Sequence, residues 1–318
     1  MTESANLTSV AALLSYVQEY SDQLIERAFF TPKTVQMATV HDGVKGKLTL
    51  TRIKSAADKA VAWSDSFDPQ ANAVDFTPRT LEVTAIKRDL SFTPQKFEAS
   101  YLGQFRKKGQ NPGEDLPLEA YILMDLLKTH AQEMEVALWQ GEKAGTVTPG
   151  TTPMRQTFDG FLEIIKDAIT ATTIAPFTTP GGAVTQANAV ALLESMWDLL
   201  PAGYKESEVA VFMSWANFQK YNRGYRDAFG KYVSNNEGDK VKLDFSQNAY
   251  LYPMAGMGNS NRIVMTPMSN LHVGFDDIAE TSLFNFEQNK RQIDWWMDFK
   301  VGVQIAQLDE GIVVNDLT

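Results

Sequence analysis

The chain contains no cysteine, which excludes both a disulfide framework and thiolate metal centres. Histidine is nearly as scarce. His41, His130 and His272 stand far apart, and none has a second histidine at the spacing of a helical metal site. No stretch approaches the roughly 18 consecutive apolar residues of a membrane span. There is no P-loop and no Gly-x-Ser-x-Gly elbow. Gly256-Met257-Gly258-Asn259-Ser260-Asn261 starts like a dinucleotide fingerprint but lacks its third glycine and a following helix, so it reads as a loop. Positive charge is also short: 29 Lys and Arg face 39 Asp and Glu, a net charge of −10 that argues against a dedicated nucleic-acid binder.

Residues 7–17 are apolar enough to suggest a signal peptide, but the first basic residue is Arg27, so the positive n-region is missing and an intracellular product is expected. Carboxylate pairs offer little chemistry. Glu133 and Glu135 lie two apart on a predicted helix and point about 200° apart, while Asp276-Asp277 and Asp309-Glu310 fall in turns. No catalytic, cofactor-binding or metal residue is therefore assigned. Trp295 sits on an apolar strand face and reads as packing; Trp296 is open to stacking on a sugar or base. A soluble carbohydrate- or peptide-binding enzyme using this aromatic-rich C-terminus stays as the alternative of a different class.

What the sequence does contain is a long polar ribbon. Leu48 and Leu50 alternate with Lys47, Thr49 and Thr51; Leu81, Val83 and Ala85 alternate with Thr80, Glu82 and Thr84. Between them, Ser55 to Pro78 holds Trp63 and Phe67 amid charge and too few apolar residues for a core of its own. A lone two-stranded ribbon is marginal in water, so something outside must cover it, and a second copy of the chain is the simplest cover. Residues 42–110 carry 12 basic and 8 acidic side chains, whereas residues 111–318 carry 15 and 27. A basic projection on an acidic body suits docking onto an identical neighbour. Lys45, Lys47, Arg52, Lys54, Lys59, Trp63 and Phe67 are the candidate contacts. Reversing Lys47, Arg52 and Lys54 to Glu is expected to leave the monomer folded while hindering assembly.

The rest is helices and strands in a fixed order. An amphipathic helix is predicted over 8–28, a mixed extended segment over 92–105 and a basic loop over 106–113. A helix over 117–141 follows, with Leu116, Ala120, Leu123, Leu127, Ala131, Met134 and Leu138 on one stripe; it would be roughly 37 Å long. Helices are predicted around Phe158–Ile169 and Ala189–Leu200. Val209–Met213 is apolar on both faces, as a strand in a central sheet is. Trp215–Arg223 reads as helix and Arg262–Thr266 as strand. From Ile293 to Ile305 every odd residue, Trp295 and Phe299 included, is apolar, which marks one long strand with a buried face.

This order resembles the HK97-type major capsid proteins of tailed bacteriophages. The resemblance runs through LPLEAYILMDLLKTHAQEMEVALWQG, VAVFMSWANFQKY, IVMTPMSNLHVGF and IDWWMDFKVGVQIAQLDEGIVV, over essentially the whole chain. It implies an α+β fold with an N-terminal arm (1–41) and an extended E-loop ribbon (42–95). A peripheral P-domain with a spine helix (96–172, helix 117–141), an axial A-domain (173–270) and a return to the P-domain (271–318) complete it. It further implies self-assembly through hexamers and pentamers into a shell around double-stranded DNA, without sequence-specific binding or membrane. Portal, scaffolding and decoration proteins would be partners, and the virion capsid the location, after synthesis in the bacterial cytoplasm. No long charged helix precedes the arm, so any scaffold is expected to be a separate protein. An encapsulin-like compartment around a cargo enzyme is the second reading within this architecture.

Overall fold

The computed structural model describes residues 20, 24, 26–55, 62–63, 65–66, 74–93, 118–230, 236–237, 240–276, 285–289 and 292–318. The helix expected over 8–28, the extended segment over 92–105 and the loop over 106–113 lie largely or wholly outside them. Helix α1 (Lys33–Met37) and strand β1 (Thr39–His41) lead into a ribbon of β2 (Lys47–Ser55) and β3 (Val74–Glu82). The ribbon is antiparallel and nine pairs long, from Lys47 opposite Glu82 to Ser55 opposite Val74. Pro78 stands opposite Thr51; in a two-stranded ribbon each strand has a free edge, where a missing N–H is tolerated.

After one residue, Val83, the chain continues as β4 (Thr84–Phe92) but changes partners, pairing from Thr84 to Phe92 with a strand far downstream, β12. The expected alternation Leu81-Val83-Ala85 breaks here. Leu81 and Val83 are buried, Ala85 is exposed, and the inward positions become Ile86, Arg88 and Leu90. A strand that leaves one sheet for another must satisfy two different buried faces, and Val83, between the two ladders, absorbs the one-residue slip.

Beyond β4 come the spine helix α2 (Leu118–Gln140), α3 (Phe161–Thr170), α4 (Ala189–Leu199), α5 (Ala202–Lys205), β5 (Val209–Met213) and α6 (Trp215–Phe229). Then follow β6 (Asn236–Glu237), β7 (Lys240–Lys242), β8 (Ala249–Pro253), β9 (Val264–Pro267), β10 (Leu271–Phe275), β11 (Asn285–Asn289), β12 (Gln292–Ile305) and β13 (Val313–Val314). The first sheet is organised by β12. β4 pairs along one edge of it; β11 and then β10 share the other, and β1 lies parallel to β10 at the margin. The odd residues of β12, Ile293 to Ile305, are all buried, as the sequence pattern required.

The second sheet runs β13-β9-β5-β8-β7-β6. All five residues of β5 are buried because this sheet separates two cores. Ala210 and Phe212 face the core that holds the spine helix and β12; Val209, Val211 and Met213 face the core of α4 and α6. Trp139 of the spine helix lies 5.3 Å from both Phe161 and Phe212, ring centre to ring centre, so one indole joins helix α3 to the second sheet. The spine helix and β12 share the first core as expected, with His130 edge-on to Phe299 at 5.1 Å and to Phe29 at 5.7 Å.

His130 is 1% exposed and its Nε2 has no hydrogen-bond partner. Burial, and secondarily the Arg88 charge, lower its pKa from 6.5 to about 3. A depressed histidine favours folding fully above its unfolded pKa, and that contribution is lost as pH falls from there toward 3. At pH 5 the loss amounts to about 2 kcal/mol. Urea denaturation at pH 7 and pH 5 should show this drop in the wild type and a correspondingly smaller one in His130→Phe. Equal drops in both proteins would assign the acid sensitivity elsewhere.

Candidate assembly surface

The ribbon is positioned by a close backbone crossing. Gly274 of β10 and Gly302 of β12 are direct cross-strand partners. A Cβ at Gly302 would fall against the Glu82 carbonyl, 2.9 Å from its carbon and 3.1 Å from the Val83 Cα. One at Gly274 would press on the Leu81 and Val83 side chains. With hydrogens there, residues 81–83 lie directly on the sheet. Leu81 is fully buried and forms a small core with Val44 and Val83, flanked by Leu48 and Leu50. The Val83 amide donates to the Gly46 carbonyl at 2.9 Å, and the Val44 amide to that of Phe275 at 2.9 Å.

A second anchor lies further out. Arg52 pairs with Asp309 and, at 3.2 Å, with Glu310. Arg79 donates to the Gln304 Oε1 at 2.8 Å, and Gln304 in turn donates to the Thr80 carbonyl at 2.7 Å. This corrects the expectation for Arg52. Its side chain is largely buried within its own chain and holds the ribbon to the turn after β12, so a triple charge reversal that includes it would disturb the monomer. The turn carboxylates Asp309 and Glu310 thereby acquire the role that the sequence left open. Lys47 is exposed and pairs across the ribbon with Glu82 at 3.2 Å; Lys45 is exposed near the root. Lys54 stands opposite Asp75 in the ribbon register, with its side chain outside the described residues, as are Lys59 and Phe67.

The described distal ribbon exposes large apolar groups. Trp63 is 88% exposed and Phe76, opposite Ile53, is 61% exposed. Phe76 escaped the sequence reading because it lay in the stretch taken as tip, whereas β3 begins at Val74. On the body, a groove of about 1660 Å³ runs between β4, the spine helix and the loop from Val147 to Thr157. Ile86, Leu90, Val136 and Met154 give it apolar walls, and Lys87, Asp89, Glu133 and Lys300 a charged rim.

Chemistry is sparse elsewhere. Among the described residues there is no group of three or more side chains able to hold a metal ion, and no helix long and apolar enough to cross a membrane. Glu135 is buried and receives the Thr34 hydroxyl at 2.7 Å and amide at 3.1 Å, while Glu133 pairs with Arg88 on the opposite side. Asp276 pairs with Lys300. Trp295 is buried; Trp296 borders a shallow hollow of about 300 Å³ with Asp89, Leu90, Ser91 and Asp294.

No protein-family model and no curated protein matches the sequence. Solved structures do. The satellite phage P4 procapsid, solved with its size determination (Sid) protein, superposes with a TM-score of 0.57 at 11% identity, covering 94% of this chain and 98% of that one. The capsid of a native GTA particle gives 0.55 at 11% identity, over 90% and 96%. A virus-like particle from Pyrococcus furiosus gives 0.50 at 8% identity, over 95% and 99%. At these identities the likeness is one of fold: the chain has the α+β, HK97-type capsid fold.

Arg52→Ala should cost about 1 kcal/mol and speed amide exchange along 47–55, because it releases two carboxylates that hold the ribbon. Lys47→Ala, losing an exposed pair, should stay within about 0.5 kcal/mol of wild type. Gly302→Ala should be the most damaging of the three, at about 1–3 kcal/mol, since its Cβ meets backbone that cannot move aside. Denaturant midpoints and exchange rates of the three variants check the order; Lys47→Ala weakening the chain as much as Arg52→Ala would refute the anchor.

Proposed function

We propose that this chain is a major capsid protein of a tailed phage, which self-assembles into a closed shell around double-stranded DNA. The observation that carries the reading is a capsid fold matched over nine-tenths or more of the chain, combined with a projecting ribbon whose distal Trp63 and Phe76 lie in solvent. In a single subunit that exposure is unfavourable; against a second copy it becomes contact area. The role is structural rather than catalytic.

In this reading the division into arm (1–41), ribbon (42–95), P-domain (96–172 and 271–318) and A-domain (173–270) describes the subunit. Lys45, Lys47, Lys54, Lys59, Trp63, Phe67 and Phe76 face the neighbour, and Arg52 fixes the angle of the ribbon. Hexamers and pentamers tile the shell; portal, scaffolding and decoration proteins are its partners, and the virion is its destination. The acidic body suits DNA packed densely without sticking. Because a virus-like particle shares the fold, a shell of the same architecture that encloses protein instead of DNA is the second reading. Nucleic acid or cargo protein recovered from purified particles distinguishes the two.

Sedimentation and negative-stain imaging of the full chain test the assembly. Megadalton closed particles are expected. Trp63→Ser/Phe76→Ser should leave the denaturation midpoint of the subunit nearly unchanged and raise the concentration needed for particles by about tenfold or more. A double variant that assembles like wild type would remove the distal ribbon from the contact.

A further inference from the structure

We propose that His41 and His272 form a proton-operated latch, which holds the edge strand β1 on the sheet beside the root of the ribbon. The His41 Nε2 lies 2.8 Å from the His272 Nδ1, and the rings are stacked with centroids 5.1 Å apart and planes 21° apart. An N–H···N bond needs one N–H and one bare lone pair. A second proton makes both nitrogens donors, and at this separation two facing N–H groups repel. Both residues are half-buried, so solvent protons reach them.

β1 needs such a tie. It is three residues long, lies at the sheet margin and, among the described residues, pairs with β10 alone. Val40, Leu271 and Val273 point into the core. His41 and His272 therefore lie on the opposite face, the one crossed by residues 81–83 over Gly274 and Gly302. Among the described residues, the groups that border the pair from the neighbouring strands and turn bring no carboxylate to offset a second proton. From β12, Gln304 stands opposite His272 and is neutral; from β3, Arg79 bonds that glutamine and adds a fixed positive charge. The turn Met268–Asn270, packed on β1, carries no titratable side chain. Asp42, next in the chain, accepts from the Gly43 amide. Burial, and then the charge of His41, hold His272 below its ordinary value.

The sign follows. His272 takes up a proton near pH 6.5 in the unfolded chain and resists it in the folded one, so the latch is closed above about pH 6.5 and its contribution is lost as pH falls below it. Release propagates outward, because Val44 and Gly46, which follow β1, bond Phe275 and Val83 at the ribbon root.

Hydrogen exchange of the full chain, read by mass spectrometry at pH 7.5 and 5.5 after correction for intrinsic rates, tests the latch. Peptides covering 38–46 should lose about tenfold in protection at the lower pH, while peptides within 125–140 stay unchanged. His41→Gln/His272→Gln keeps a neutral side-chain hydrogen bond and should show no such loss; should the double variant fail to fold, His272→Gln alone should blunt the response. His130→Phe should retain it in full, which separates the latch from the core histidine. Wild-type protection that ignores pH, or glutamine variants that respond as wild type does, would overturn the proposal. The measurement holds for particles or for free subunits, so it stands apart from the shell assignment.

Discussion

A ribbon that leaves a sheet has to cross it, and the crossing here is set by two facing glycines. Where Gly274 and Gly302 lack side chains, the backbone of Leu81, Glu82 and Val83 rests on the sheet surface. Two consequences follow from that contact. The chain can pair with β2 before Val83 and with β12 after it, so one extended run serves both ribbon and sheet. Leu81 also becomes fully buried although it belongs to a projecting element, which gives the ribbon a rooted base and a solvent-exposed far end. The angle at the base then decides where Trp63 and Phe76 can reach. Arg52, clamped to the turn after β12, sets that angle a second time.

The segment before the ribbon is tied down by different means. The Thr34 hydroxyl donates to Glu135 at 2.7 Å and accepts the Trp139 indole N–H at 2.6 Å, so one side chain bridges two residues a helical turn apart on the spine. Burial raises the Glu135 pKa, while the two Thr34 donors and Lys33 oppose that shift. Such a carboxylate is costly to bury and is tolerated because donors are aimed at it. Its use is positional: it places α1 against the spine helix and therefore fixes where β1 meets β10. The same Trp139 touches Phe161 and Phe212, which connects the N-terminal segment, the spine and the second sheet through one residue.

Much of the fold was legible because its elements carry strong one-dimensional patterns. The odd residues of β12, the stripe of the spine helix and the doubly apolar β5 each state their surroundings locally. What was hidden depends on pairs far apart in sequence. Nothing near Arg52 announces Asp309 and Glu310, 257 and 258 residues away, and a turn carboxylate pair looks the same whether it is solvated or clamped. His41 and His272 were set aside as distant, yet the parallel pairing of β1 with β10 brings them into contact. The slip at Val83 was invisible because the apolar alternation continues in letters while the sheet changes in space. Phe76 was missed for a related reason: a strand end was taken for a loop.

These contacts shift the balance of forces on the ribbon. Its surplus of positive charge suggested electrostatic docking, but Lys47, Arg52, Lys87 and Arg88 each have an acidic partner within the chain. Exposed ion pairs contribute about 0–1 kcal/mol each and weaken with salt. Covering a phenylalanine- or tryptophan-sized side chain contributes about 1.5–3 kcal/mol, largely independent of salt. In the proposed contact Trp63 and Phe76 therefore outweigh the ribbon lysines, whose part would be to orient the approach. A contact of a few kcal/mol is too weak to hold two subunits against the entropy of association. In the closed shell proposed above, where several neighbours would hold each subunit, repetition of such contacts would suffice, and a subunit joined through one contact alone would dissociate before the error is enclosed.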